Sequence, residues 1–199
     1  MNDDSRARAE IVRYGRLLWD RRLVAGSSGN LSVRLDDGDL LVTPSGISLR
    51  DMTDAQIVRV DPDGAPRNPQ QHPTTEIPLH LAAYKARADA GCVVHTHPTF
   101  CVVWSKVGSL FPRDTVGARE TLGPVAWTAY RDPGTHELAD LCATEFARGF
   151  DTVVMERHGL STVAATLERA FVLTDLAEEA ARIAYFSRLL SSTAFQSDI

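Results

Sequence analysis

The run Cys92-Val93-Val94-His95-Thr96-His97-Pro98 constrains the fold more than any other stretch of the chain. An apolar, β-branched segment reads as a buried strand. Alternate side chains of a strand share a face, so His95 and His97 stand side by side. That is the geometry of two ligands on one metal. Alone, the pair also suits a strand end whose rings are solvated or hydrogen-bonded, and the remaining motifs must decide.

With 199 residues, 44% of them hydrophobic, the chain can bury one sizeable core, and a single domain over residues 1–199 with a short frayed tail at 191–199 is expected. A formal net charge of -5 with scattered Lys and Arg offers no basic stripe, which excludes nucleic acid as a partner class and favours a small molecule. The first residues lack the apolar core of a signal peptide, and no apolar stretch approaches bilayer length. No membrane partner is expected, and the setting is cytoplasmic. Cys92, Cys101 and Cys142 are odd in number and widely spaced, so they read as reduced packing residues rather than a disulfide frame.

Along the chain, residues 5–23 carry Ile11, Val12, Leu17, Leu18 and Trp19 at helical spacing, and Gly26 is the expected stop. A small-residue loop at 27–30 leads into an alternating strand at 31–35. Asp36-Asp37-Gly38-Asp39 turns the chain into a returning strand at 40–42, and a second small-residue loop follows at 43–46. Whether the two loops meet stays open on the sequence. Another strand is expected at 57–60. The stretch Thr74-Thr75-Glu76-Ile77-Pro78 opens a helix, with Glu76 near its positive end and Pro78 in its first turn. After the His95/His97 strand come a helix from Pro98 to Trp104, a strand at 123–128, a helix from about Gly134, a buried strand at 152–156 and a long helix at 166–190. Mixed strands and helices imply an α/β sheet covered on both faces.

His158, like His95 and His97, lies at or just past the end of an apolar strand, where sheet proteins commonly place site residues. Three imidazoles with one open position describe a catalytic zinc site, and Glu76 can be a fourth ligand, a general base, or both in turn. His80, four residues after Glu76, shares its helix face, a position that suits either support of the site or a satisfied helix histidine.

These motifs, Ser28-Gly29-Asn30-Leu31-Ser32, Thr43-Pro44-Ser45-Gly46, Thr74-Thr75-Glu76, His95-Thr96-His97 and Arg157-His158-Gly159-Leu160, stand in the order and approximate spacing of the class II aldolase/adducin family, which the chain resembles over nearly its whole length. The resemblance implies a three-layer α/β/α fold with a central mixed, largely antiparallel sheet. It implies one zinc ion per subunit on His95, His97 and His158, with Glu76 as the ligand that becomes the acid/base. Gly29, Asn30, Ser45, Gly46, Thr74 and Thr75 would hold a substrate phosphate, and glycine turns, hydroxyls and a helix N-terminus can do so without lysine. The implied reaction is cleavage of a ketose 1-phosphate to dihydroxyacetone phosphate and an aldehyde through a metal-stabilised enediolate, in a homotetramer with sites between subunits.

The same scaffold also supports decarboxylation and dehydration, the chief alternatives. Family epimerases carry Asp where this chain has Glu76. Family aldolases also place a tyrosine in a longer C-terminal tail, whereas here the only aromatic after Leu190 is Phe195. Tyr130 is the one tyrosine outside the expected helices. A non-catalytic adducin-like module would have no reason to keep Glu76 and all three histidines, and a zinc hydrolase has no support beyond the histidines themselves.

Overall fold

The computed structural model describes residues 3–107 and 110–192. Residues 193–199, which hold Phe195 and most of the expected tail, lie outside the described residues. The chain runs α1 (Asp3–Asp20), β1 (Asn30–Arg34), β2 (Leu40–Val42), β3 (Val58–Val60), α2 (Ile77–Ala86), β4 (Cys92–Thr96), α3 (Thr99–Ser105), β5 (Val125–Thr128), α4 (His136–Ala147), β6 (Thr152–Met155), β7 (Gly159–Ala164) and α5 (Leu167–Ser192). The strands form one sheet in the order β3-β2-β1-β4-β7-β6-β5. Its pairs are antiparallel except β5 with β6, which α4 connects.

Strand alternation divides the core into layers. Cys92 and Val94 of β4 pack with Ile11, Leu18 and Leu31 on the α1 side. Val93 turns the other way, toward Leu79, Ala83 and Tyr84 of α2 and Leu138, Cys142 and Phe146 of α4. Helix α5 lays Leu173, Ala177 and Ala181 over Leu160 and Val154, beside Cys101 and Trp104 of α3. One face is thus covered by α2 and α4 and the other by α1, α3 and α5, the three-layer α/β/α arrangement. The three cysteines are buried and free.

Two readings of the sequence are corrected. The first concerns β7, which was not expected: Gly159-Leu160-Ser161-Thr162-Val163-Ala164 is fully buried between β4 and β6, and its small polar residues give neither alternation nor an apolar run. The second is the stop of α1, which is Arg22, two residues past the helix's last residue Asp20, rather than Gly26. Arg22 adopts a left-handed φ of 59°, its N–H donates to Trp19 O, and the N–H of Leu23 reaches back to Leu18 O at 2.9 Å. That pair of bonds closes the helix, with buried Leu23 packed where such a motif wants an apolar residue. The carbonyl of Leu23 then accepts from the N–H of His97 at 3.0 Å.

At the far edge of the sheet, buried Asp39 accepts from Arg59 Nε at 2.7 Å and from Arg67 Nη2 at 2.6 Å. The Arg67 bonds lead in lowering its pKa; burial opposes them, Arg59 adds to them, and the carboxyl is held at about 2 against an ordinary 3.8. A depressed folded-state pKa contributes stability above the unfolded value that is lost as pH falls through the folded one. The melting-temperature gap between the native chain and Asp39→Asn is therefore expected to be constant above about pH 5 and to close between about pH 4 and 2. Thermal melts across that range check it.

Candidate active site

The hairpin of β1 and β2 explains why separate loops converge. Pairing Ser32 with Val42 makes the start of one strand and the end of the other neighbours, so the 27–30 and 43–46 loops must meet. Leu31 N donates to Thr43 Oγ1, and Thr43 N to Leu31 O. The 72–76 segment is stitched alongside by Ser45 N to His72 O and Thr74 N to Thr43 O, each 3.0 Å. Gly29 occupies the tightest point: its φ is +80°, and a Cβ there would sit 2.4 Å from Val24 Cγ1.

The result is a cleft of about 260 Å³ lined by Ser27, Ser28, Gly29, Asn30, Pro44, Ser45, Gly46, Thr74, Thr75, Glu76, His97, Pro133 and His158. His95 lies beneath it, fully buried. A larger cavity of about 920 Å³ lies between Trp104, Phe111, Val125 and Arg188. None of the converging histidines line it, so chemistry points to the smaller cleft.

Glu76 caps α2 in a non-helical conformation, and its N–H is held by Thr74 Oγ1 at 3.2 Å. Its carboxylate faces His95 Nε2 at 2.8 Å and His158 Nε2 at 3.3 Å, while His97 Nε2 stands 2.9 Å from His95 Nε2. The three rings meet edge to face with centroids 4.8–5.0 Å apart. One ligand atom from each of the four residues lies within 4.8 Å of the others.

The donor set fits a cation. The carbonyl of Leu160 can only accept, so at 3.0 Å it takes the Nδ1 hydrogen of His95, leaving a lone pair on Nε2 of the neutral ring. That lone pair points at a carboxylate oxygen and another imidazole nitrogen. Glu76 Oε1 and His158 Nδ1 are buried without a hydrogen-bond partner. Burial, with the neighbouring imidazoles, lowers the pKa of His97 to about 3.

Asn30 lines the cleft, yet its side-chain amide is turned inward: Nδ2 donates to Glu76 Oε2 at 3.0 Å and Oδ1 faces His80 Nε2 at 2.6 Å. With the N–H groups of Ser45 and Thr74 also engaged, the hydroxyls of Ser45 and Thr75 and the peptide groups of Gly29 and Gly46 are left for an anion. Tyr130 does not line the cleft; its hydroxyl donates to Asp132 at 2.9 Å, and Arg157 lies 4.6 Å over its ring. His80, whose position in the sequence suits either support of the site or a satisfied helix histidine, stands behind Asn30 with Tyr84 one turn further on. The available signal was the spacing Glu76, His80, Tyr84, one residue per helical turn.

The family model described as Class II Aldolase and Adducin N-terminal domain matches residues 9–185. The L-fuculose phosphate aldolase of Methanococcus maripaludis is 32% identical over 177 residues, covering 88% of this chain and 94% of that protein. The 3-oxo-tetronate 4-phosphate decarboxylase of Cupriavidus necator is 34% identical over 186 residues, covering 90% and 84%. Among solved structures, the L-fuculose-1-phosphate aldolase of Thermus thermophilus superposes with a TM-score of 0.86 at 25% identity, covering 95% of this chain and 97% of that one.

Proposed function

We propose that this chain, which belongs to the class II aldolase and adducin family, is a zinc-dependent lyase that cleaves a ketose 1-phosphate of the L-fuculose 1-phosphate kind to dihydroxyacetone phosphate and an aldehyde. The observation that carries the reading is the convergence of Glu76 with His95, His97 and His158 at a cleft whose other walls are glycine, serine and threonine. His95, His97 and His158 hold the zinc, with Glu76 as a further ligand. A bound zinc supplies Lewis-acid stabilisation of negative charge on the substrate's carbonyl oxygen as the carbon–carbon bond breaks.

The chain's own groups do the rest. Gly29, Ser45, Gly46 and Thr75 bind the phosphate through peptide N–H groups and hydroxyls, with Asn30 and Thr74 shaping the same wall. In the cleavage direction the hydroxyl that becomes the aldehyde gives up its proton to solvent as the carbon–carbon bond breaks, and Glu76, protonated in turn from solvent, delivers one to the carbon next to the carbonyl; synthesis reverses both transfers. The reading takes the chain as one domain over residues 1–199 in a cytoplasmic homotetramer with sites between subunits. Exposed Val103, Val107, Phe186 and Leu189 offer apolar surface for such assembly.

Purified protein is expected to contain about one zinc per chain and to release dihydroxyacetone phosphate from at least one of a panel of ketose 1-phosphates. Metal analysis with a coupled assay checks both, and zinc without release would sink the aldolase reading. The second reading is decarboxylation of a phosphorylated 3-oxo acid, supported by the Cupriavidus relative and by the engagement of the Tyr130 hydroxyl away from the cleft. Carbon dioxide release from such an acid would select it.

A further inference from the structure

Behind Glu76 runs a buried chain of polar side chains that the reading above does not use. Tyr84 OH lies 2.9 Å from Ser32 Oγ, which lies 2.6 Å from His80 Nδ1; His80 Nε2 lies 2.6 Å from Asn30 Oδ1, and Asn30 Nδ2 donates to Glu76 Oε2 at 3.0 Å. Ser32 and His80 are wholly buried, and Asn30, Tyr84 and Glu76 nearly so. A buried imidazole is costly unless both nitrogens are satisfied, and here both are.

The direction of every bond follows from one end. An ionised carboxylate only accepts, so Asn30 must present its NH2 to Glu76 and its carbonyl to His80. That carbonyl also only accepts, so the ring hydrogen sits on Nε2. Nδ1 is then a lone pair that takes the Ser32 hydroxyl hydrogen, and the Ser32 oxygen takes that of Tyr84. All the hydrogen bonds point toward Glu76. Burial keeps the ring neutral, lowering its pKa to about 3. Register explains why they meet: Asn30 and Ser32 alternate on the face of β1 that opposes His95 and Val93, while Glu76, His80 and Tyr84 recur at each turn of α2 above them.

We propose that His80 is a positioning residue: through Asn30 it fixes Glu76 Oε2 as a hydrogen-bond acceptor and leaves Oε1, which accepts no hydrogen bond and faces His158 Nε2 at 3.3 Å, to carry the transferred proton. The inference rests on the acid/base role of Glu76 given above. His80 touches neither the cleft nor the cation, and it acts by aligning the amide that aligns the carboxylate.

Nitrogen-15 NMR of histidine-labelled protein, recorded with and without zinc, tests the ring directly. The His80 signals are expected to show hydrogen on Nε2 and a bare Nδ1 in both states, and hydrogen on Nδ1 would overturn the proposal. Steady-state kinetics test the consequence. His80→Leu is expected to lower kcat by about 10- to 100-fold with KM changed by no more than about twofold and zinc retained. His80→Gln keeps a donor where Nε2 stands and is expected to recover most of that loss. Equal losses in the two variants, or a loss confined to KM, would refute the alignment role. Should His80→Leu fail to fold, Ser32→Ala removes only the hydroxyl that selects the tautomer. It is expected to mix the two ring forms and lower kcat several-fold, and an unchanged ring with unchanged kcat would count against the proposal. A wild-type protein with the expected ring that releases no dihydroxyacetone phosphate would mean that the aldolase reading, not the network, had failed.

Discussion

On the proposed function, in which His95, His97 and His158 hold zinc, Glu76→Gln is expected to fold like the native chain, to keep much of the metal and to lose turnover by about 10²- to 10⁴-fold. The exchange is nearly isosteric at a buried position, so packing around Leu79 and Ala83 is undisturbed. What changes is chemistry. An amide cannot carry the transferred proton, and its NH2 would bring hydrogen toward the nitrogen of His95 or His158, where the native carboxylate stands 2.8 and 3.3 Å away. Zinc analysis alongside kcat separates the effects: zinc near the native level with rates near native would refute the acid/base role. Loss of both would point to a purely structural ligand.

Gly159→Ala is expected to act through packing, with a comparable loss of function. Gly159 opens β7 opposite Met155, directly after His158. A Cβ there would lie 2.2 Å from the Thr96 carbonyl and 2.8 Å from the His97 ring. The carbonyl belongs to the β4–β7 ladder, so neither side can yield without breaking sheet pairing. Overpacking of this kind costs roughly 2–3 kcal/mol, and the melting temperature is expected to fall by roughly 5–10 °C. Because the same methyl presses on His97 and sits beside His158, the affinity for the proposed zinc should fall as well. A calorimetric melt within about 1 °C of native would show that the clash is relieved more easily than the ladder suggests.

Elements whose signal is local were legible in the sequence. The β1–β2 turn at Asp36-Asp37-Gly38-Asp39, the amphipathic α1 and the Pro78-marked start of α2 each announce themselves within a few residues. Strand β7 did not, because burial on both faces removes alternation and because Ser161 and Thr162 carry hydroxyls into the interior. Arg22 did not, since its left-handed cap is set by where Leu23 must pack rather than by its own preference. The gathering of Glu76, His95, His97 and His158 was suggested by motif order. The role of the Asn30 amide was hidden, because its partners Glu76 and His80 lie 46 and 50 residues away and only the pairing of the 43–45 loop with residues 72–74, which sets α2 beside β1, brings them near.

The cleft beside Glu76, His97 and His158 has no lysine or arginine among its described lining residues, and the chain as a whole is negative. An anion arriving there is drawn by short-range dipoles rather than by a long-range field. Its capture rate would then not fall as ionic strength rises, unlike that of a site approached through a basic funnel. Discrimination would rest on the fit of the headgroup against rigid peptide and hydroxyl groups once it has arrived, so selectivity for the phosphate end would be decided at dissociation rather than at encounter.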